Sequence, residues 1–246
     1  MSKVVQLRVD RIYCHEIPMI VVHPVHDMRK PVIFYHGWSS RIDFQLSKAY
    51  LLAVNGYTVY IPEMIHHGER KALENYYSVD MYPLFWNVIF QNMIEFPVIR
   101  DYISENCQEK PVIMGHSLGG LTVLGIGSLY EDDLKGIVSF NGSGDWLLTH
   151  LFIQARFGYY VPKDWELYKE LEKKSPVNHV KDMSNIPILL TNGENDISID
   201  PRAQDHFFTE IKKSNQRVAH IKYPQLGHFV TMHMMDDAIQ WMEDLQ

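Results

Sequence analysis

Five short runs in this chain are almost wholly apolar: residues 31–35 (PVIFY), 58–61 (TVYI), 111–114 (PVIM), 136–140 (GIVSF) and 186–191 (IPILLT). Apolar runs of this length without alternation predict strands buried on both faces. Residues 218–223 (VAHIKY) read as a last strand, and residues 5–12 and 19–23 as two strands near the start, joined by a short turn segment. Between these runs the apolar spacing changes to three and four, the signature of helices with one buried face. Residues 43–54 carry it through Phe44, Ala49, Leu51, Leu52 and Val54, with Gly56 as a stop. Further helical patterns cover about 82–103, 118–130 and 231–245, and Pro97 is expected to kink or divide the first of these. Strands alternating with helices predict an α/β fold built on a mostly parallel sheet with helices on both faces. The first two strands have no helix between them, which predicts an antiparallel start.

One interval breaks the rhythm. Residues 142–185 separate two strands by more than a crossover needs, and they hold Trp146, Phe152, Phe157, Tyr159, Tyr160 and Trp165. The expectation is one domain over residues 1–246, with a small helical cap inserted at 142–185. In that reading Trp146 and Phe152 wall a substrate pocket.

Composition narrows the classes. A chain of 246 residues, 46% hydrophobic and 22% charged, can bury a core that needs no staple. A net charge of −7 carries no footprint for nucleic acid or anionic membrane. Cys14 and Cys107 lie far apart and form no metal-binding or redox spacing, which fits reduced thiols in a cytoplasmic protein. The first residues lack the apolar core and cleavage site of a signal peptide, and no stretch approaches the ~20 apolar residues of a membrane span. No feature fixes an oligomeric state.

Gly115-His116-Ser117-Leu118-Gly119 stands between the apolar run 111–114 and a helical stretch. Strand, G-x-S-x-G, helix is the pattern of a nucleophile elbow, a turn so tight that its flanks exclude side chains. A serine hydroxyl needs a histidine base, and that histidine needs a carboxylate on its other nitrogen. On such a sheet the partners should follow in the order Ser, Asp, His, on loops beyond later strands. Asp196 lies on the loop after residues 186–191, and His228 on the loop after the last strand, just before the closing helix. Asp145 and Asp200 are rival acids, and His220 and His233 rival bases, each on a less suitable element. Two backbone N–H groups should hold the oxyanion. Leu118, directly after the serine, supplies one, and Trp38, on the loop His36-Gly37-Trp38 after residues 31–35, is the candidate for the other.

With these residues in order, the chain resembles the α/β-hydrolase superfamily. Within it, it resembles small bacterial esterases related to dienelactone hydrolases and to prolyl-oligopeptidase-type catalytic domains. His66-His67-Gly68-Glu69-Arg70 is similar to the H-G-x-R loop of those proteins. The resemblance implies an eight-stranded sheet with strand two antiparallel, and Ser117, Asp196 and His228 as the triad. It departs at Glu63, where relatives often have aspartate, and at Trp38, which is bulky beside an oxyanion hole. A serine where dienelactone hydrolases use cysteine disfavours that activity, and 246 residues leave no room for the propeller with which peptidases of this type select peptides. The histidine pair 66–67 is read as loop packing rather than a metal site, since no third ligand stands at a useful spacing.

The resulting expectation is a cofactor-independent, metal-free serine hydrolase acting on a small-molecule carboxylic ester. A peptidase, thioesterase or acyltransferase on the same fold, and a non-catalytic ligand-binding homologue, stay open as alternatives.

Overall fold

The structure is a computed structural model that describes residues 5–25, 29–160, 162–163 and 165–245. Eight strands form one sheet: β1 (Leu7–Cys14), β2 (Ile17–Pro24), β3 (Pro31–Tyr35), β4 (Thr58–Pro62), β5 (Val112–His116), β6 (Gly136–Phe140), β7 (Ile188–Gly193) and β8 (Val218–Tyr223). Their spatial order is β1-β2-β4-β3-β5-β6-β7-β8. β2 runs antiparallel to both β1 and β4, and every other pairing is parallel. The predicted strand at residues 5–12 begins two residues later; its first partner, Leu7, faces Pro24.

Each of β3, β4 and β6 is buried at all five residues, as their unbroken apolar runs require when helices cover both faces. Helices α1 (Leu46–Val54) and α7 (Met232–Glu243) close one face, over a core that includes Ile20, Phe34, Leu52, Ile61, Phe140 and Met235. The other face packs against α2 (Tyr82–Ser104), α3 (Leu118–Gly127) and α6 (Pro201–Ile211), around Tyr35, Trp86, Phe96, Ile113, Leu121, Ile188 and Phe207. α2 crosses Pro97 without dividing. It loses one backbone bond there, and the burial of Met93, Phe96, Ile99 and Ile103 on one face outweighs that loss. α3 is buried along its whole length, so the helical pattern after Ser117 is apolar all round and ends three residues earlier than the sequence suggests.

Between β6 and β7 lie α4 (Trp146–Phe157), α5 (Glu166–Lys174) and a kinked 3₁₀ stretch, Pro176–Met183. α4 starts on an Asp145 side chain that accepts from the Leu148 N–H at 3.0 Å, and ends on Gly158 in the left-handed region. Trp146 does not wall a pocket, contrary to the sequence reading. It is fully buried against Trp86 and Phe90 of α2, because it occupies the first turn of α4, where the helix meets the main core. Phe152 is not on the wall of the cavity at Ser117 but lines the neighbouring pocket, its ring under the Arg202 guanidinium, 4.3 Å from the centroid, on the side of α4 facing α6. Among the described residues no helix is long and apolar enough to cross a membrane.

Candidate active site

Ser117 stands between β5 and α3 with φ 59° and ψ −119°, a conformation L-residues rarely hold and one that costs on the order of 1–3 kcal/mol. The turn survives because its neighbours allow nothing else. A Cβ on Gly115 would collide with the Gly119 backbone, and one on Gly119 with the Tyr35 and His36 carbonyls. The Ser117 N–H is tied to the Phe140 carbonyl of β6 at 2.9 Å. Strain of this kind lifts the hydroxyl off the sheet edge and sets it at the first turn of α3, whose leading N–H groups have no partner within the helix.

The hydroxyl oxygen lies 2.8 Å from His228 Nε2, and His228 Nδ1 lies 2.6 Å from Asp196 Oδ2. With Nδ1 donating its hydrogen to the Asp196 carboxylate, Nε2 is left to accept from Ser117. The other carboxylate oxygen, Oδ1, accepts from the Ser198 and Ile199 N–H groups at 2.8 and 3.1 Å. The acid is thus held on both oxygens, with its side chain fully buried. His116 lies against the His228 ring, centroids 4.9 Å apart. Burial, and then His228 itself, push the His116 pKa down to about 3, so it adds no charge beside the base.

The loops carrying acid and base are fastened to each other. The Glu194 N–H donates to the Tyr223 carbonyl at 3.0 Å, and the Asn195 N–H to Leu226 at 2.9 Å. Asn141, just beyond β6, bridges them: its Oδ1 accepts from the Gly193 N–H at 2.9 Å and its Nδ2 donates to the Phe229 carbonyl at 2.8 Å. Sequence reading missed Asn141. Its only signal was an asparagine after a buried strand, which a simple turn explains equally well.

The rival residues have other work. Asp145 caps α4 and meets His206 Nδ1 at 2.7 Å, while Asp200 caps α6 and binds Arg202. His220 faces Asn192 inside the sheet, and His233 is exposed on α7.

On the opposite side of Ser117 runs the loop after β3. The Gly37 carbonyl accepts from His36 Nδ1 at 2.9 Å and from the Ser40 N–H at 3.2 Å. A trans peptide is planar, so fixing that carbonyl turns the Trp38 N–H the other way. Gly37 lies close to the elbow: a Cβ there would stand 3.5 Å from the His116 carbonyl oxygen and from the Ser117 Cβ. His36 is sealed beneath the loop, its Nε2 3.1 Å from the buried Glu63 carboxylate. Gly68 of the 66–70 motif has positive φ, and a side chain there would strike that carboxylate. Arg70 donates to both Glu95 oxygens, at 2.8 and 2.6 Å, and to the Glu63 carbonyl at 3.0 Å. His67 packs edge-on to His36 and Trp38 and stacks on Tyr76, as loop packing.

A cavity of about 270 Å³ opens on Ser117 and His228. Its walls are the rings of Trp38, Tyr76, Tyr77, Tyr82, Phe85, Phe157 and Tyr159, with Ile153 and Ile199. The hydroxyl of each tyrosine is already engaged: Tyr76 by the His66 carbonyl, Tyr77 by Ser39, Tyr82 by His150 and Tyr159 by the Tyr77 carbonyl, all within 2.9 Å. The walls therefore present ring carbon rather than free polar groups.

Comparison with known proteins follows the same lines. The sequence profile of the prolyl oligopeptidase family matches residues 92–245, and that of the S33 serine aminopeptidases matches residues 26–149. "Putative esterase YitV" of Bacillus subtilis (strain 168) is 28% identical over 228 residues, covering 86% of this chain and 88% of the relative. "Esterase YjfP" of Escherichia coli (strain K12) is 28% identical over 194 residues, covering 74% of this chain and 75% of the relative. In fold, the chain is similar to TT1662 from Thermus thermophilus, with a TM-score of 0.79, 15% identity and 98% of each chain covered. It is also similar to Est1E from Butyrivibrio proteoclasticus with bound ferulic acid, with a TM-score of 0.72, 14% identity, and 96% and 98% covered.

Proposed function

The chain belongs to the prolyl oligopeptidase family of the α/β-hydrolase superfamily and is a serine hydrolase of carboxylic esters; on that premise we propose that Ser117, His228 and Asp196 are its catalytic triad. The observation that carries the assignment is the unbroken hydrogen-bond line from Ser117 Oγ through His228 to Asp196, at a strained elbow. His228 Nε2 takes the hydroxyl proton as Oγ attacks the ester carbonyl. Asp196 holds the imidazole in the tautomer that leaves Nε2 bare, and then stabilises the imidazolium. The Trp38 and Leu118 N–H groups receive the oxyanion, in a site whose dipoles are fixed before the substrate arrives. Collapse of the tetrahedral intermediate sends the Nε2 proton to the leaving alcohol, and water repeats the sequence on the acyl-enzyme.

Residues 142–185 serve as a cap in this reading, through Ile153, Phe157 and Tyr159 on the cavity wall. Apolar walls with their hydroxyls spent favour a compact, planar or short acyl or alcohol group over a charged polymer. The two free, buried cysteines fit a reducing, cytoplasmic setting.

The test is labelling of the protein by a fluorophosphonate, together with hydrolysis of p-nitrophenyl butyrate. Wild type should be labelled at Ser117 and active. Ser117→Ala should be unlabelled, with turnover lower on the order of 10⁶-fold. Aminoacyl anilides in the same assay separate an esterase from a peptidase.

A further inference from the structure

A second pocket of about 270 Å³ adjoins the cavity at Ser117 across Ile153, Phe157 and Ser198. Those three residues line both spaces. The cavity at Ser117 has no aspartate, glutamate, lysine or arginine on its wall. The second holds Arg156, Arg202, Asp196 and Asp200.

The two guanidinium groups and two carboxylates balance in number, and three of the four are held in direct contacts. Asp196 is spent on His228 and two backbone N–H groups. Asp200 takes two side-chain bonds from Arg202, at 2.9 and 2.6 Å, and caps α6. Arg156 is the remainder. Among the described residues its guanidinium makes no direct hydrogen bond or ion pair; it stands over the Phe157 ring, 5.9 Å from the centroid, and adds its field to the hydrogen bonds and charge of Arg202 in lowering the Asp200 carboxyl pKa. A guanidinium whose donors have no direct partner among the described residues therefore sits beside Phe157, the aromatic ring that the two pockets share.

We propose that this second pocket is an anion subsite, and that the preferred esters carry a carboxylate or similar anion that reaches past Phe157 to Arg156 while the ester group lies at Ser117. A guanidinium suits this task because its planar donors match a carboxylate edge. The proposal rests on the esterase reading above. The alternative role for Arg156 is local: it stands in the last turn of α4, where a cation complements the helix dipole. That role touches stability and leaves substrate choice alone.

Paired substrates separate the two. In one pair the acyl side carries the charge: p-nitrophenyl hydrogen adipate against its methyl-capped neutral ester. In the other pair the alcohol side carries it: 4-acetoxybenzoate against methyl 4-acetoxybenzoate. At low salt the wild-type kcat/KM should favour the charged member of at least one pair by about fivefold or more, a discounted value for a charge-assisted contact at a partly open site. The preferred pair tells which side of the ester carries the anion. Arg156→Met should bring that ratio close to one, Arg156→Lys should keep part of it, and 0.5 M NaCl should weaken it in wild type. Melting curves check that both variants are folded. A wild-type ratio near or below one in both pairs, or a ratio unchanged in a folded Arg156→Met protein, overturns the subsite. Failure of wild type to hydrolyse any member, p-nitrophenyl butyrate included, would instead overturn the esterase reading.

Discussion

Asp196 illustrates how much a single carboxylate can be asked to do at residue scale. One oxygen orients His228 and the other is fixed by two N–H groups, so Asp196→Asn keeps the shape but presents an amide where an acceptor is required. Turnover should fall by roughly 10⁴, as expected when the imidazole is held in the wrong tautomer. Asp200→Asn, measured in the same assay, should change turnover little; exchange of the two results would transfer the role of the acid. Asn141 makes a subtler claim. It touches no reacting atom, yet it ties the acid loop to the base loop. Asn141→Ala should leave the buried Gly193 N–H without its acceptor, at a cost of about 1–3 kcal/mol before relaxation, and free the part-buried Phe229 carbonyl. It should lower kcat about tenfold or more with KM little changed, and thermal melts with initial rates test both effects. A loss of stability with an unaltered kcat would confine Asn141 to holding the fold.

At the scale of elements, Ser117, Asp196 and His228, which the fold brings into hydrogen-bond contact, were legible as candidates because each stands where the pattern changes, beyond a predicted strand. The sheet was legible for the same reason: residues 31–35, 136–140 and 186–191 can be little other than buried strands. The pocket wall was not. Trp146 and Phe152 were chosen as aromatic members of a long insertion, but which residues of α4 reach the cavity depends on position along the helix axis, which takes Trp146 into the core, and on rotation, which turns Phe152 aside. Ile153 and Phe157, four apart on one face, line it, whereas Trp146 enters the core and Phe152 faces Arg202. The remaining wall, Tyr76, Tyr77, Tyr82 and Phe85, comes from a loop and a helix start that carry no periodic signal of their target. Truncations should divide accordingly. Trp146→Ala should destabilise the fold by about 3–5 kcal/mol with the ester chain-length profile unchanged. Tyr159→Ala should widen the cavity and shift the profile towards longer acyl groups, with a smaller loss of stability. Profiles on p-nitrophenyl esters and melting curves report the two quantities separately.

Over the whole molecule, the thirteen histidines include a group that the fold keeps neutral. Burial, then the neighbouring His36, hold the His67 pKa down to about 3; burial and then His228 hold His116 to about 3; burial holds His220 to about 4 despite Asp205. An unfolded histidine titrates at about 6.5, so below that pH the unfolded chain takes up protons that the native state refuses. Stability is therefore complete above about pH 6.5 and falls as the pH drops towards 4 and 3, on the order of 1–2 kcal/mol per histidine by pH 5. Against a total of about 5–15 kcal/mol, three such sites make the fold labile in acid well before its carboxylates protonate. The urea midpoint should begin to fall just below pH 6.5, with two to three protons taken up on unfolding near pH 5, a count fixed at roughly one per histidine by the same linkage. His220→Gln should flatten part of that slope. Activity lost through protonation of the catalytic base returns at once when the pH is restored, whereas this loss appears in the melting curve itself. A midpoint that holds level down to pH 5 would mean that these rings accept protons inside the fold, and that their burial is shallower than the packing shows.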